Sequence, residues 1–259
     1  MPELPEVETY KRYLESTSLG KHINRVKVRD SRILELGEKD FIKNLQENTF
    51  KSVMRHGKYL FIAFDLSYLV MHFGMTGDLE YYAINREEPK YSKVLFEFTN
   101  NHVLSYISIR MFGKLDIADD LKKYIKEKKL GPDALKMSFE DLTNSLKRRT
   151  TNIKTALMNQ EIVCGIGNIY SDEIIFRTNI NPLTKINHLE EKQLRALFSN
   201  IKDVLQYGIE KKGELSTYSD KFLIPHRNQD DFCPVCHTKI KRYEILGRHG
   251  FFCPSCQKQ

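Results

Sequence analysis

Apolar residues recur along this chain at helical spacing in some stretches and in short β-rich runs in others, and the change from one to the other divides it. Near the N-terminus Val7, Tyr10 and Leu14 fall at three- and four-residue spacing behind Pro5, with Gly20 beyond them. That spacing predicts a helix over residues 5 to about 18. From residue 24 to about 118 the texture becomes short runs rich in β-branched and aromatic residues: RVKVRD, KYLFIAFD, YLVMHFG, KVLFEFT and HVLSYISIRMFGKLDIAD. Asn100 and Asn101 separate two of these runs as a hairpin turn would. A series of this kind predicts a mainly antiparallel sandwich or barrel.

At LKKYIKEKKLGPDAL the pattern turns charged and helical, which places a boundary between about 120 and 132. Short helices are expected over 139–146, 153–158 and 169–177. A longer one follows in NHLEEKQLRALFSNIKDVLQYGIEKKG, with Asn187 as N-cap, Glu190 as its capping-box partner and Gly213 as the stop. Its apolar positions, Leu194, Leu197, Phe198, Ile201, Val204, Leu205 and Ile209, keep the helical period and predict a buried face. Residues 221–231 are polar and aperiodic, a loop or linker. No internal repeat or low-complexity tract interrupts the chain.

Composition adds limits. A chain of 259 residues can bury a core without disulfide staples. No apolar run is long enough for a transmembrane helix, and the N-terminus lacks the basic-then-apolar pattern of a signal peptide, so a cytosolic protein is expected. The net charge of +7 suits a polyanionic partner, yet many proteins without a nucleic-acid role are equally basic.

The cysteines say more. Cys164 stands alone in VCGIG and reads as an incidental buried small residue. The other four form CPVC and CPSC with 16 residues between them: Cys233, Cys236, Cys253 and Cys256. Two such knuckles can fold onto one tetrahedral Zn²⁺, and four thiolates close the site, so this zinc is structural. A redox dithiol pair has a different spacing and a βαβ context. The runs TKIKRYEIL and RHGFFC, joined around Gly247, predict a hairpin whose folding energy comes from the metal. His237 and His249 are spare and read as surface residues. Arg248 at the hairpin tip either reaches a phosphate or is simply solvated.

The opening MPELPEVET is ambiguous by itself. Pro and Glu are favoured at a helix N-terminus, and the same two residues could equally form a reaction centre. Taken with HGKYL, MHFGMTG, LGPDAL, VCGIGNIYSDEIIF and RHGFFCPSCQ, it closely resembles the formamidopyrimidine-DNA glycosylase family, relatives of the endonuclease VIII glycosylases. The resemblance spans essentially the whole chain. It implies an α+β multidomain fold: an N-terminal β-sandwich with the terminal helix (1–125), a helix-two-turn-helix α domain (126–220), and a linker with a C-terminal zinc-finger β-hairpin (221–259). It also implies a base-excision DNA glycosylase with AP lyase activity, acting as a monomer on damaged double-stranded DNA with one structural Zn²⁺ and no membrane.

By the same resemblance, removal of Met1 frees the Pro2 nitrogen to attack C1′ of the damaged nucleoside, and Glu3 relays protons at the sugar. Lys58 contacts phosphates or assists β-elimination, and Arg248 contacts DNA and serves δ-elimination. Met75, Arg110 and Phe112 map onto the side chains that fill the hole left by an extruded base, although each alone reads equally as a core residue. Gly165 and Gly167 let backbone amides before a helix at about Asn168 approach a phosphate, with Asn168 and Lys154 contacting the backbone and Arg149 in KRRT adding positive charge. Tyr91 stands where the family has a histidine in the strand leading to the Arg110 loop.

Tyr91 is one departure from the family pattern, and two others bear on the substrate, as does the opening. SIRMFG replaces DPRRFG, so Met111 stands for an arginine. The opening has ELPE, not the EGPE typical of the endonuclease VIII branch, which argues against membership of that branch. The segment between Gly213 and Cys233 is short and lacks the stretch that covers an extruded oxidised purine in the family. Oxidised purines such as formamidopyrimidines are the expected substrates. An endonuclease VIII-like preference for oxidised pyrimidines and a non-catalytic zinc-ribbon DNA-binding protein are the alternatives.

Overall fold

A computed structural model describes residues 1–258. Its chain divides into two compact units: Met1–Pro2 with Glu6–Lys128, and Glu3–Pro5 with Lys129 onward. Helix α1 (Leu4–Thr17) therefore contributes its first residues to one unit and the rest to the other. Among the described residues no helix is long and apolar enough to cross a membrane.

The first unit is a sandwich of two antiparallel sheets. One has the order β1 (Ile23–Val28), β6 (Ser92–Phe98), β7 (His102–Ser108), β5 (Gly77–Ala83); the other runs β2 (Ser52–His56), β3 (Tyr59–Ala63), β4 (Tyr68–His72), β8 (Lys114–Ala118). Alternation along each strand sorts its residues between two faces. In β3, Leu60 and Ile62 enter the core between the sheets with Phe96, Leu104, Met71 and Leu115. Phe61 points the other way and meets Tyr124 of α3 (Leu121–Glu127) edge-on, ring centroids 5.8 Å apart. Helix α2 (Glu38–Leu45) and α1 add Phe41, Leu45, Val7 and Leu14 to the inter-sheet core.

The second unit holds α4 (Phe139–Leu146), α5 (Ile153–Met158), α6 (Asn168–Arg177), α7 (Glu191–Glu210) and the hairpin β9 (Lys241–Ile245) with β10 (Arg248–Phe252). The predicted apolar face of α7 is buried through Leu197, Ile201, Val204, Leu205 and Ile209, against Tyr170, Ile174 and Leu4. Gly213, at φ +73°, ends the helix turn, its N–H bonding the Gly208 carbonyl at 2.9 Å.

Two local expectations are corrected. Asn187 is not the N-cap of α7: residues 186–188 close a short 3₁₀ turn, and the cap passes to Glu190, whose N–H donates to Gln193 Oε1 at 3.0 Å. Nor is 221–231 wholly a polar linker. Phe222, Leu223 and Ile224 are buried, Phe222 stacked on Tyr207 with centroids 4.4 Å apart. A single short 3₁₀ turn has no helical or strand period to reveal in sequence.

In the first unit the acidic opening has a structural user. Glu8 accepts the Arg55 Nε–H at 2.7 Å, with the two side chains 15% and 2% exposed. Removing Glu8 takes one acceptor from the enclosed guanidinium, which keeps its bond to the Gly57 carbonyl at 3.2 Å. Glu8→Ala is expected to lower stability by about 3–5 kcal/mol, measured by urea denaturation.

Candidate functional site

Helix α6 begins on Gly167, and its first amides face a carboxylate from the chain's third residue. Glu3 is 2% exposed and accepts the N–H groups of Gly167 at 2.5 Å, Ile169 at 2.9 Å and Tyr170 at 3.4 Å. These are donors that a helix leaves unpaired, at the end where its dipole favours negative charge. The Leu4 N–H adds a bond to the Gly165 carbonyl at 3.0 Å. Glycine is required at 167, since a Cβ there would lie 2.4 Å from Glu3 Cδ. The amides expected to clamp a phosphate are thus occupied by Glu3. Pro2 is the residue immediately before it. With Met1 attached the Pro2 nitrogen is an amide; without Met1 it is a secondary amine.

Lys58 sits at a two-residue hairpin turn between β2 and β3, after Gly57 at φ +56°, the arrangement of a type II′ turn. It is 5% exposed. His72 lies across the sheet from Tyr59, the rings 4.7 Å apart. Burial pushes its imidazole down to about 4, and the charges of Lys58 and Lys128 push the same way, so it is neutral at physiological pH.

Met75, Arg110 and Phe112 are not core residues. Met75 and Phe112 are 41% and 54% exposed, and Arg110 is exposed with its guanidinium 5.1 Å from the Phe112 ring centroid. Their two loops are held together. The Arg110 N–H bonds Thr76 Oγ1 at 3.0 Å, and Gly74, at φ +58°, lies so close to Phe112–Gly113 that a Cβ would come within 2.3 Å of their backbone. Met111, at φ +57°, turns its side chain towards the sandwich core. Tyr91 precedes β6 and is not part of it, at φ +67°; its carbonyl accepts the Ser108 N–H at 3.2 Å.

In the second unit, Arg149 is exposed and its Nε–H bonds the Ser145 carbonyl at 2.8 Å. Lys154, expected on a phosphate, is 1% exposed: its ammonium bonds the Asn168 carbonyl at 2.7 Å and Asp172 Oδ1 at 2.6 Å. Asn168 donates from Nδ2 to the His249 carbonyl at 2.8 Å. Arg248 is exposed and opens β10 after a tight turn in which Leu246 and Gly247 have φ of +50° and +67°.

The four cysteines converge. Sγ separations are 3.8 Å for Cys233–Cys256 and 3.4 Å for Cys236–Cys253, and all four sulfurs lie within 4.8 Å of one another. Sulfurs about 2.3 Å from a tetrahedral zinc are spaced about 3.8 Å, so the set fits one Zn²⁺. Val235 and Cys256 N–H groups point at Cys233 and Cys253 sulfur, both at 3.4 Å. His237 and His249 are exposed and outside the set.

Several groups escaped the sequence reading: Asp172, Glu173, Arg227, Tyr243 and Gln257. An adjacent acidic pair inside the apolar run of SDEIIF was the available signal for the first two. Gln257, 1% exposed, ties the finger's end to the helical core, donating to the Ile180 carbonyl at 2.9 Å and accepting the Cys253 N–H at 2.8 Å.

Comparison with known proteins gives consistent matches. Family models match in three blocks: the formamidopyrimidine-DNA glycosylase N-terminal domain over residues 1–115, its H2TH domain over 130–220, and the zinc finger found in FPG and IleRS over 230–259. A formamidopyrimidine-DNA glycosylase of Ligilactobacillus salivarius is 36% identical, covering 99% of both chains. One from Pelotomaculum thermopropionicum is 34% identical over 100% of this chain and 99% of its own. Among solved structures, Lactococcus lactis Fpg bound to a DNA with an abasic site superposes with a TM-score of 0.90 at 28% identity, covering 99% and 100% of the two chains. The same protein bound to a FAPY-dG DNA gives 0.91 at 29%, with the same coverage.

Two outcomes are expected. Stripping the metal with a chelator, or Cys236→Ser, should open the segment from 233 to 256 to proteolysis while α4–α7 stay resistant. Glu173, fully buried, accepts the Ile224 N–H at 2.9 Å and Arg177 Nε–H at 3.2 Å, yet burial raises its carboxyl from 4.5 to about 7. A raised carboxyl holds its proton longer in the folded state, so its contribution is fully present below pH 4.5 and lost as pH rises through about 7. The loss is roughly 3 kcal/mol at about 1.4 kcal/mol per pH unit. Urea midpoints of Glu173→Gln should lack that slope.

Proposed function

The chain belongs to the formamidopyrimidine-DNA glycosylase family, and on that premise we propose that it excises oxidised bases from double-stranded DNA and then cleaves the abasic strand, with the Pro2 nitrogen as nucleophile. It is a DNA-repair glycosylase with a zinc finger. The observation that carries the finer reading is the enclosure of Glu3 by three amides of α6, which fixes the residue next to the attacking nitrogen.

An α-amino group titrates near 8 against about 10.4 for lysine, so much more of it is free at neutral pH. As the Pro2 nitrogen bonds to C1′, the base departs with its electron pair and takes up a proton. Opening of the sugar ring then gives an iminium ion, and a secondary amine holds that positive charge without an N–H to lose. Glu3 moves protons at the sugar oxygen and C2′. Loss of a C2′ proton expels the 3′ phosphate, and a further elimination expels the 5′ phosphate. We assign Lys58 and Arg248 to those phosphates and steps. Met75, Arg110 and Phe112 fill the space of the extruded base, an assignment supported by their exposure on two joined loops. Arg149, Asn168 and Tyr91 are assigned to the DNA backbone, and Lys154 acts from behind through the Asn168 carbonyl. The four thiolates hold one Zn²⁺, which supplies folding energy to the finger.

We infer a monomer in the prokaryotic cytosol, with domains at 1–125, 126–220 and 221–259, since one chain supplies every proposed group. Formamidopyrimidines and related oxidised purines are the proposed substrates. A preference for oxidised pyrimidines has one observation in its favour: the segment before the finger is short and tied to α6 through Ile224 and Arg227.

Protein confirmed by mass to begin at Pro2 is expected to form a borohydride-stabilised adduct with lesion-bearing and abasic duplexes. Retained Met1 should abolish the adduct and Pro2→Gly should weaken it. No adduct with either DNA would overturn the reading. Excision rates on matched duplexes carrying a formamidopyrimidine, 8-oxoguanine or an oxidised pyrimidine decide the lesion class.

A further inference from the structure

Helix α6 presents a stripe at four-residue spacing to the zinc hairpin. Asn168 bonds the His249 carbonyl, Asp172 meets the middle of the hairpin, and Phe176 joins Cys233, Ile240 and Cys253 in a small core. The centre of this stripe is unusual. Asp172 is 1% exposed and receives five hydrogen bonds. Lys154 Nζ and Tyr243 Oη donate to Oδ1 at 2.6 and 2.8 Å. Arg227 Nη2 and Nε and the Phe251 N–H donate to Oδ2 at 2.8, 3.1 and 3.2 Å.

Both hairpin strands therefore end on one carboxylate, Tyr243 from β9 and Phe251 from β10. Tyr243 reaches it by crossing its strand partner Gly250, where a Cβ would lie 2.4 Å from Tyr243 Cζ. A two-point attachment through both oxygens fixes the rotation of the hairpin as well as its distance. Arg248 lies two residues before Gly250 on β10, exposed and making no part of this latch.

We propose that Asp172 is a positioning residue for Arg248: it latches the hairpin to the helix whose first turn holds Glu3. The inference rests on the reading of Arg248 given above. All five bonds are donated to the carboxylate by its four partners, so an amide at this position turns one acceptor into a donor facing donors and breaks one half of the latch. Arg248 then loses its fixed path to the phosphate, and the step assigned to it slows. Glu3, held by backbone amides, keeps its place.

The test uses full-length, Pro2-initiated, zinc-loaded protein on an abasic duplex, comparing Asp172→Asn, Asp172→Glu and Tyr243→Phe. The readouts are zinc content, the borohydride adduct, and the ratio of δ- to β-elimination product. Asp172→Asn is expected to lower the δ/β ratio about tenfold to a hundredfold, the scale on which misplacement by about 1 Å acts. Adduct yield should change less than about twofold and zinc should remain bound. Tyr243→Phe, which removes one donor, should shift the ratio in the same direction by less, and Asp172→Glu should restore part of it. Combining Asp172→Asn with Arg248→Ala should lower the ratio no further than Arg248→Ala alone. An unchanged ratio in both Asp172→Asn and Tyr243→Phe overturns the inference. So does a parallel fall in zinc, adduct and δ product, which would assign Asp172 to the fold alone. Absence of an adduct in the unsubstituted protein is a different result, and refutes the Pro2 reading instead.

Discussion

A carboxylate taken out of water must be met by hydrogen bonds or opposite charge, and three of them meet that demand on α6. Glu3 occupies its first amides, Asp172 lies one turn further along, and Glu173 beside it faces Ile224 and Arg177. Glu3 ties the chain's opening residues to the helix, Asp172 ties the zinc hairpin together with Lys154 and Arg227, and Glu173 ties the segment before the finger. The helix is therefore less a packing element than a junction. Apolar contacts through Tyr170, Ile174 and Phe176 fix its place, and the three acids decide what may attach to it.

Enclosed charges of this kind are poor sources of stability, because desolvation consumes most of what attraction returns. Their value lies in geometry. A hydrophobic contact between hairpin and helix would tolerate sliding, whereas a carboxylate with two fixed donors does not. Lys154 and Arg227 set two positive charges beside the single negative charge of Asp172, and all three side chains are at most 14% exposed.

Much of the fold could be read from the sequence because its signals were local. The β-branched and aromatic content of KYLFIAFD and KVLFEFT marked sandwich strands, and the helical period of α7 was visible from Leu194 to Ile209. Paired cysteines announced the metal centre through spacing alone. What stayed hidden was aperiodic or long-range. The turn around Ile224 buries apolar residues without a pattern, and Asn187 looked like a cap although a 3₁₀ turn displaced it. The resemblance puts Lys154 on the DNA backbone, and nothing local reveals its counter-ion, Asp172, 18 positions away. Gly167 read as a phosphate contact because nothing local reveals that Glu3 fills the same space.

Glu3 and Gly167 are 164 positions apart in the chain, which gives their contact a consequence in time. A ribosome adding about 5–20 residues per second needs roughly 10–30 s to pass from one to the other. Throughout that interval the opening residues have no amides to dock on. A contact of such sequence separation also forms late in folding, after local strands and helices. The opening residues therefore stay undocked for about two-thirds of the chain's synthesis, until the helix that receives them has been made.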